Sequence, residues 1–428
     1  TLAKYTKQEK SWMFYDWATS AFSIIIATAI FPIYYKAVAE NAGVSNANAD
    51  AFWSYSVSIA TFILALFGPI LGTIADYKGY KKKLFIFFLM VGVLATAGMA
   101  LPIESWIFLL IMYVLAEVGS SGSGLFYNAF LVDVTEEKRM NEISSRGYAI
   151  GYIGSVIPFV LCIALIILAQ QKMIPISTAS ASQLSFLITA LWWGLFTIPL
   201  LKNVHQVYYV EREPKIIANS FRRLGNTFKE IRKYRNIFLF LIAYFFYIDG
   251  VGTIISLATV YGTSVGLDSN GLLIALLAVQ IVAAPFAILF GKLSGKFGTK
   301  KMIYVGIIIY TFVCFFALFL DTLLEFWILA MLVATSQGGI QALSRSYFAQ
   351  MVPKEKSNEF FGFYNIFGKF AAVLGPFLFG ITAQLTGNSS FGVFSIVILF
   401  IIGFFMLMIV PDHEAKTIKA EGSFPQGG

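Results

Sequence analysis

Charge, histidine and cysteine are all scarce in this chain. Asp, Glu, Lys and Arg make up 13% of its 428 residues, about half the share usual in a soluble domain. A conventional soluble fold is therefore excluded. The two cysteines, Cys162 and Cys314, both fall inside apolar runs, so no disulfide framework is implied. The two histidines, His205 and His413, lie far apart in polar segments and suggest no metal site. No phosphate-binding loop, nucleophile elbow, zinc-protease motif or paired-cysteine cluster occurs. Neither enzyme chemistry nor a cofactor is expected, and Asp133 and Glu136 read as solvated turn residues.

What the chain has instead is apolar length. Hydrophobic residues make up 58% and aromatic residues 17%, with a mean hydropathy of +0.76. Twelve apolar stretches approach the ~20 residues that cross a bilayer as a helix: 12–37, 51–75, 84–101, 106–132, 145–169, 184–201, 237–261, 271–291, 302–320, 326–350, 360–385 and 391–410. Barrel-type alternation is absent, so a helical bundle is the expected fold. The first stretch is too long for a signal peptide and reads as a retained helix.

The net charge of +8 does not point to nucleic acid, because of where the charge sits. If the stretches alternate in direction, loops on one side hold 27 of the 31 basic residues. Loops on the other side hold only Lys36 and Lys172. The positive-inside rule then places both termini in the cytoplasm, as an even number of spans requires.

The chain repeats weakly at half its length. GTIADYKGYKKK from Gly72 matches GKLSGKFGTKK from Gly291, and NEISSRGYAIGYIG from Asn141 matches NEFFGFYNIFGKFA from Asn358. The expected plan is two pseudo-symmetric six-helix bundles, at 1–201 and 237–428, joined by a linker at 202–236. Within the linker Ile217, Phe221, Leu224, Phe228 and Ile231 recur at helical spacing, with Arg222, Arg223, Lys229, Arg232 and Lys233 between them. That pattern predicts an amphipathic helix suited to an anionic membrane surface.

The Gly72 segment resembles the Gly-x-x-x-Asp-Arg-x-Gly-Arg-Lys signature of the major facilitator superfamily, with Gly72, Asp76, Gly79 and Lys81 matching. Tyr77 and Tyr80 replace the arginines, and Gly295 replaces the acid in the second copy. YDWATSAF from Tyr15, and the string from Ser336 to Phe377, further resemble the vacuolar effluxer-like, autophagy-related branch. The superfamily resemblance covers the whole chain, and the branch-specific strings cover its ends. It implies the major facilitator fold and secondary transport by alternating access. It suggests amino acids as substrates, by kinship with vacuolar amino-acid exporters of fungi.

Five ionisable residues interrupt the apolar stretches: Asp16, Glu117, Asp249, Arg345 and Lys369. Each costs at least ~2.5 kcal/mol at membrane depth, so each is expected to face a partner or a watery cavity. The resemblance implies that helices 1, 4, 7 and 10 line the cavity, and these carry the first four. At ~1.5 Å per residue, Asp16 lies about 6 Å and Arg345 about 8 Å from the cytoplasmic edge. Glu117, Asp249 and Lys369 fall near the midplane.

Asp16 is either a cap of helix 1 or a gate partner of Arg345. Arg345 either binds a substrate carboxylate or pairs permanently with an acid of helix 1 or 4. Glu117, in EVGSSGSG, is a candidate substrate and coupling carboxyl, its glycines serving close packing. Asp249, followed by Gly250 and Gly252, suggests a break in helix 7 and a site for an ammonium, a proton or sodium. Its alternative is a salt bridge to Lys369. Asn128, Gln280, Gln341 and Asn365 are lesser substrate candidates, and Asp76 is a candidate gate acid bonding amides of helix 11.

The expected protein is thus a transporter of a small zwitterion, amino acid or short peptide, driven by a proton or sodium gradient. A lysophospholipid-like amphiphile is the rival cargo. A monomer in the bacterial inner membrane, contacting lipid and no nucleic acid, is expected. An intramembrane enzyme or a receptor is the competing class.

Overall fold

The computed structural model describes residues 5–264, 266–319 and 321–412. Lys4 and the tail from His413, with Lys416 and Lys419, lie outside them. The fold is all-helical and comprises two bundles of six. The first bundle holds α1 (Lys7–Asn41), α2 (Asn46–Ala75), α3 (Tyr80–Gly98), α4 (Trp106–Val134), α5 (Glu137–Gln170) and α6 (Thr178–Asn203). The second holds α7 (Arg235–Ser264), α8 (Ser269–Phe297), α9 (Thr299–Phe319), α10 (Leu323–Met351), α11 (Lys354–Thr386) and α12 (Ser390–Ile409). Among the described residues, eleven helices are long and apolar enough to cross a membrane. The remaining one, α3, carries Lys81, Lys82 and Lys83 in its first turn, ahead of the apolar stretch.

The six even-numbered helices start on the lysine-poor face, and each has a side-chain cap: Ser45, Ser105, Ser177, Asp268, Thr322 and Asn388. Short loops beside a bilayer leave little else to satisfy the first-turn amides. Large apolar side chains such as Phe62, Leu94, Leu195 and Phe405 are exposed on the outer surfaces, as lipid-facing residues are.

Two helices depart from regular geometry. In α1, residues Phe22–Ala29 form a π-helix, a local widening that accommodates an extra residue. In α11 the helix ends at Phe370 and resumes at Leu374. The expected break in α7 is not there: α7 runs continuously through Gly250 and Gly252. Gly250 serves close packing instead, since a Cβ on it would meet the Phe400 ring at 2.6 Å.

The bundles meet along two seams at the lysine-rich face. At the α2–α11 seam, a Cβ on Gly72 would lie 2.3 Å from the carbonyl oxygen of Asn358. At the α5–α8 seam, a Cβ on Gly291 would lie 2.5 Å from that of Ser145. Only glycine permits either approach. The linker carries the expected amphipathic helix, over Ile216–Lys229.

Candidate functional site

A cavity of about 680 Å³ lies between the bundles. It is lined by side chains of α1, α2, α4, α5, α7, α8, α10 and α11, including Asp16, Glu117, Asn128, Gln280, Gln341, Arg345, Asn365 and Lys369. Asp249 is not among the lining residues.

Asp16 and Arg345 form the floor. The guanidinium Nη2 donates to Asp16 Oδ2 at 3.1 Å and to the Ser144 carbonyl at 3.0 Å. Its Nε donates to Ser144 Oγ at 2.9 Å, and Nη1 reaches Asn128 Oδ1 at 3.4 Å. The rings of Trp12, Tyr127 and Tyr148 pack around it, with centroids 4.7, 5.5 and 4.5 Å away. A buried guanidinium needs such a shell, because its charge is desolvated on every side. Arg345 joins α10 to α1, α4 and α5, so it crosses the bundle interface. Asp16 does not cap α1, whose capping box is Thr6 with Glu9.

Nearer the middle, Lys369 Nζ lies 2.5 Å from Glu117 Oε1, and Ser121 donates to the same oxygen at 2.8 Å. This pair also spans the bundles. It differs from the floor in access: the Lys369 side chain is 37% exposed, against 3% for Arg345. Asn365 Nδ2 donates to the Ser121 carbonyl at 3.0 Å, and Gln280 accepts from Ser155 Oγ at 3.3 Å.

Asp249 departs from expectation in two ways. It has no bond to Lys369, and it turns away from the cavity towards the break in α11. Its Oδ1 accepts from the Gly375 amide at 3.0 Å and from Thr253 Oγ1 at 3.2 Å. The carboxylate caps the resumed helix from the side, where first-turn amides favour an anion.

Asp76 ends α2. It accepts from the backbone and side-chain N–H groups of Asn358, both at 2.9 Å, and from the Glu359 amide at 3.3 Å. The two backbone donors are first-turn amides of the helical segment beginning at Ser357. Burial, and then the Glu359 charge, push the Asp76 carboxyl up to about 7, opposed by Arg223. Arg223, on the linker helix, sits 3.7 Å from Asp76 and 4.0 Å from Glu359. Asp133 is not solvated, as its sequence context suggests: its side chain is fully buried, with Lys81 at 2.6 Å.

Sequence reasoning missed the Ser144 clamp, the aromatic sleeve of Arg345 and the role of Arg223. Glu359 was visible only as the repeat counterpart of Glu142. Nothing in the sequence separates Arg223 from the other basic residues of the linker.

Comparison with known proteins bears on the family and the fold. A family model described as "Vacuole effluxer Atg22 like" matches residues 5–420. An uncharacterized MFS-type transporter of Bacillus subtilis, YxiO, is 59% identical over 98% of both chains. Autophagy-related protein 22-1 of Aspergillus niger is 26% identical over 66% of this chain, which spans 49% of that protein's length. Among solved structures, the proton:xylose symporter XylE superposes with a TM-score of 0.69 at 12% identity, covering 95% of this chain and 96% of that one.

Proposed function

The chain belongs to the Atg22-like family of vacuole effluxers within the major facilitator superfamily, and from that we propose that it carries amino acids or short peptides across the bacterial plasma membrane. It is a secondary transporter, not an enzyme, and an integral membrane protein. The observation that carries the proposal is the Glu117–Lys369 pair, exposed to the cavity and shared between the bundles. A zwitterion can replace the pair by two new ones, its carboxylate on Lys369 and its ammonium on Glu117. Net charge in the cavity is unchanged, so the exchange avoids leaving a desolvated ion unpaired. Because the two residues belong to different bundles, a bound substrate joins them, as rocking about a midplane site requires.

The lysine-rich face is the cytoplasmic one on the positive-inside rule, so both termini are cytoplasmic and the structure is sealed inward. Arg345, Asp16 and Asp76 hold that seal. Glu117 is the coupling carboxyl, binding the proton of a driving gradient. Asp249 positions α11 rather than touching substrate. Asn128, Gln280 and Gln341 complete the polar lining.

Uptake into proteoliposomes of an amino-acid panel, with and without a pH gradient, tests the reading. Gradient-dependent uptake of at least one member is expected, and flat uptake throughout overturns it. Glu117→Gln should abolish gradient-driven accumulation while sparing counterflow exchange, and accumulation that survives removes Glu117 from coupling. An amphiphile such as a lysophospholipid is a second reading. An apolar chamber lined by Ile254, Leu272, Phe326 and Val393 shares Ile255, Leu276, Val279 and Gln337 with the cavity wall. Competition of amino-acid uptake by lysophospholipid decides between the two.

A further inference from the structure

The linker helix Ile216–Lys229 has three faces where an ordinary amphipathic helix has two. Ser220 and Thr227 are buried and Arg223 is largely so, and this stripe turns towards α2 and α11. Arg223 donates to the Thr73 carbonyl at 3.2 Å, and Thr227 hydrogen-bonds the Glu359 carboxylate. The protein-facing side is therefore mainly polar, with Leu224 and one edge of Phe228, which meets the Phe363 ring at 5.5 Å, packing at its border. The exposed apolar surface lies beyond that border: Ile217, Phe221 and Phe228 are 66%, 59% and 51% exposed. At about 100° per residue they stand roughly a quarter turn from the buried stripe. Arg222 and Lys229 form the third face, a further third of a turn or so round, with Arg232 and Lys233 just beyond. Arg222 and Lys233 also lie near Glu213 and Glu230, at 3.6 and 3.8 Å.

A helix with protein on one flank, apolar side chains beneath and cations above is shaped for the corner between a transmembrane bundle and a bilayer surface. Apolar residues then enter the acyl boundary and the cations meet lipid phosphates. We infer that the linker helix docks on anionic lipid, and that docking holds Arg223 in the Asp76–Glu359 seam, so that lipid composition sets how firmly the lysine-rich face is sealed. The partner is an anionic leaflet and not a protein, because the apolar stripe is narrow and continues into basic residues. Lipid acts through Arg223 because the helix is rigid over its length: Phe221 and Arg223 are two residues apart and cannot move independently. This inference needs no knowledge of the cargo.

The test uses full-length protein in nanodiscs of phosphatidylcholine alone or with a quarter phosphatidylglycerol, with Cys162 and Cys314 replaced. A bimane on Phe221→Cys should shift to the blue and be quenched by doxyl-labelled lipid when phosphatidylglycerol is present. Unshifted emission without quenching in both discs overturns the docking, including the case of a helix reserved for a protein partner. A second reporter, Ser346→Cys, sits fully buried at the sealed face. Its reaction with an impermeant maleimide should slow at least about threefold with anionic lipid. Ile217→Ser with Phe221→Ser should erase that lipid dependence. Arg223→Gln should raise labelling in both lipids, and Arg223→Lys should restore most of the protection. Bimane insertion with labelling indifferent to lipid overturns the link to the seam.

Discussion

The α2–α11 and α5–α8 seams occupy equivalent places in the internal repeat, yet they close by different physics. Gly72 and Gly291 fall in step in the sequence, as do Asn141 and Asn358. In three dimensions each glycine lies against the other half's asparagine segment: Gly72 at the Asn358 carbonyl, Gly291 beside Ser145 and the Asn141 carbonyl. The close approach is therefore duplicated. The charge is not. Asp76 holds three N–H groups and faces Arg223, whereas Gly295, its counterpart, has open space around it. The second seam relies on packing and on a neutral hydrogen bond, Asn141 to Thr299 at 2.6 Å. At the matched positions, Asp76 can titrate and Gly295 cannot.

The largest effect should come from the cavity floor, where Arg345 joins the bundles apart from the glycine contacts of either seam. Arg345→Gln leaves Asp16 buried without its cation, a change worth about 3–5 kcal/mol. Transport should fall to background, with a lower thermal midpoint in detergent. A variant of native stability and activity would remove the floor from the comparison. Next, Gly72→Leu and Gly291→Leu each drive a side chain into the opposing helix. Each should cut transport about tenfold or more and expose Ser346→Cys to label, by analogy with the cost of overpacking. If only one does so, the seams are not mechanically equivalent.

A subtler test separates them by pH. Asp76 sits at about 7 in the sealed form against an ordinary 3.8. Between those values the sealed form binds a proton that an exposed carboxyl would not, so protonation favours sealing. The seal is strongest at low pH and weakens as pH rises through about 7. Labelling of Ser346→Cys should rise about threefold between pH 6 and pH 8, a discounted figure against the tenfold that 1.36 kcal/mol represents. Asp76→Asn should flatten the profile, and a profile unchanged by that substitution assigns the titration elsewhere. The smallest effect belongs to Gly295→Asp. An acid there meets no donor, so uptake should stay within about twofold. A marked change would mean that the second seam, too, can be latched by charge.

The sequence located depth well and direction poorly. Hydropathy marked all twelve helices, eleven of which are long and apolar enough to cross a membrane, and the intramembrane charges were legible because nothing else explains an ion in an apolar run. Partners were harder. Lys369 lies at a depth that suits either Glu117 or Asp249, and only the rotation of α4 and α7 about their axes selects Glu117. Gly250 and Gly252 suggested a broken α7, but the break lies in α11, where Asp249 meets the freed amide of Gly375. A glycine supports a kink or a close neighbour equally well, and Phe400 supplies the neighbour. Arg223 carries no local mark, since its role depends on a contact across more than a hundred residues of chain.

The widened segment of α1 has a bearing on Asp16. Phe22–Ala29 accommodates one residue more than an α-helix would over the same rise. Drawing that residue back into α geometry turns the stretch on one side relative to the other by roughly 100°, as a key turns in a lock. Hydrogen exchange at amides 26–30, compared between sealed and substrate-loaded protein, reads such a change of register. Asp16 lies on the short arm of this key, ending at Ala21, and the turn alone would carry its carboxylate off Arg345 while the bundles stand still.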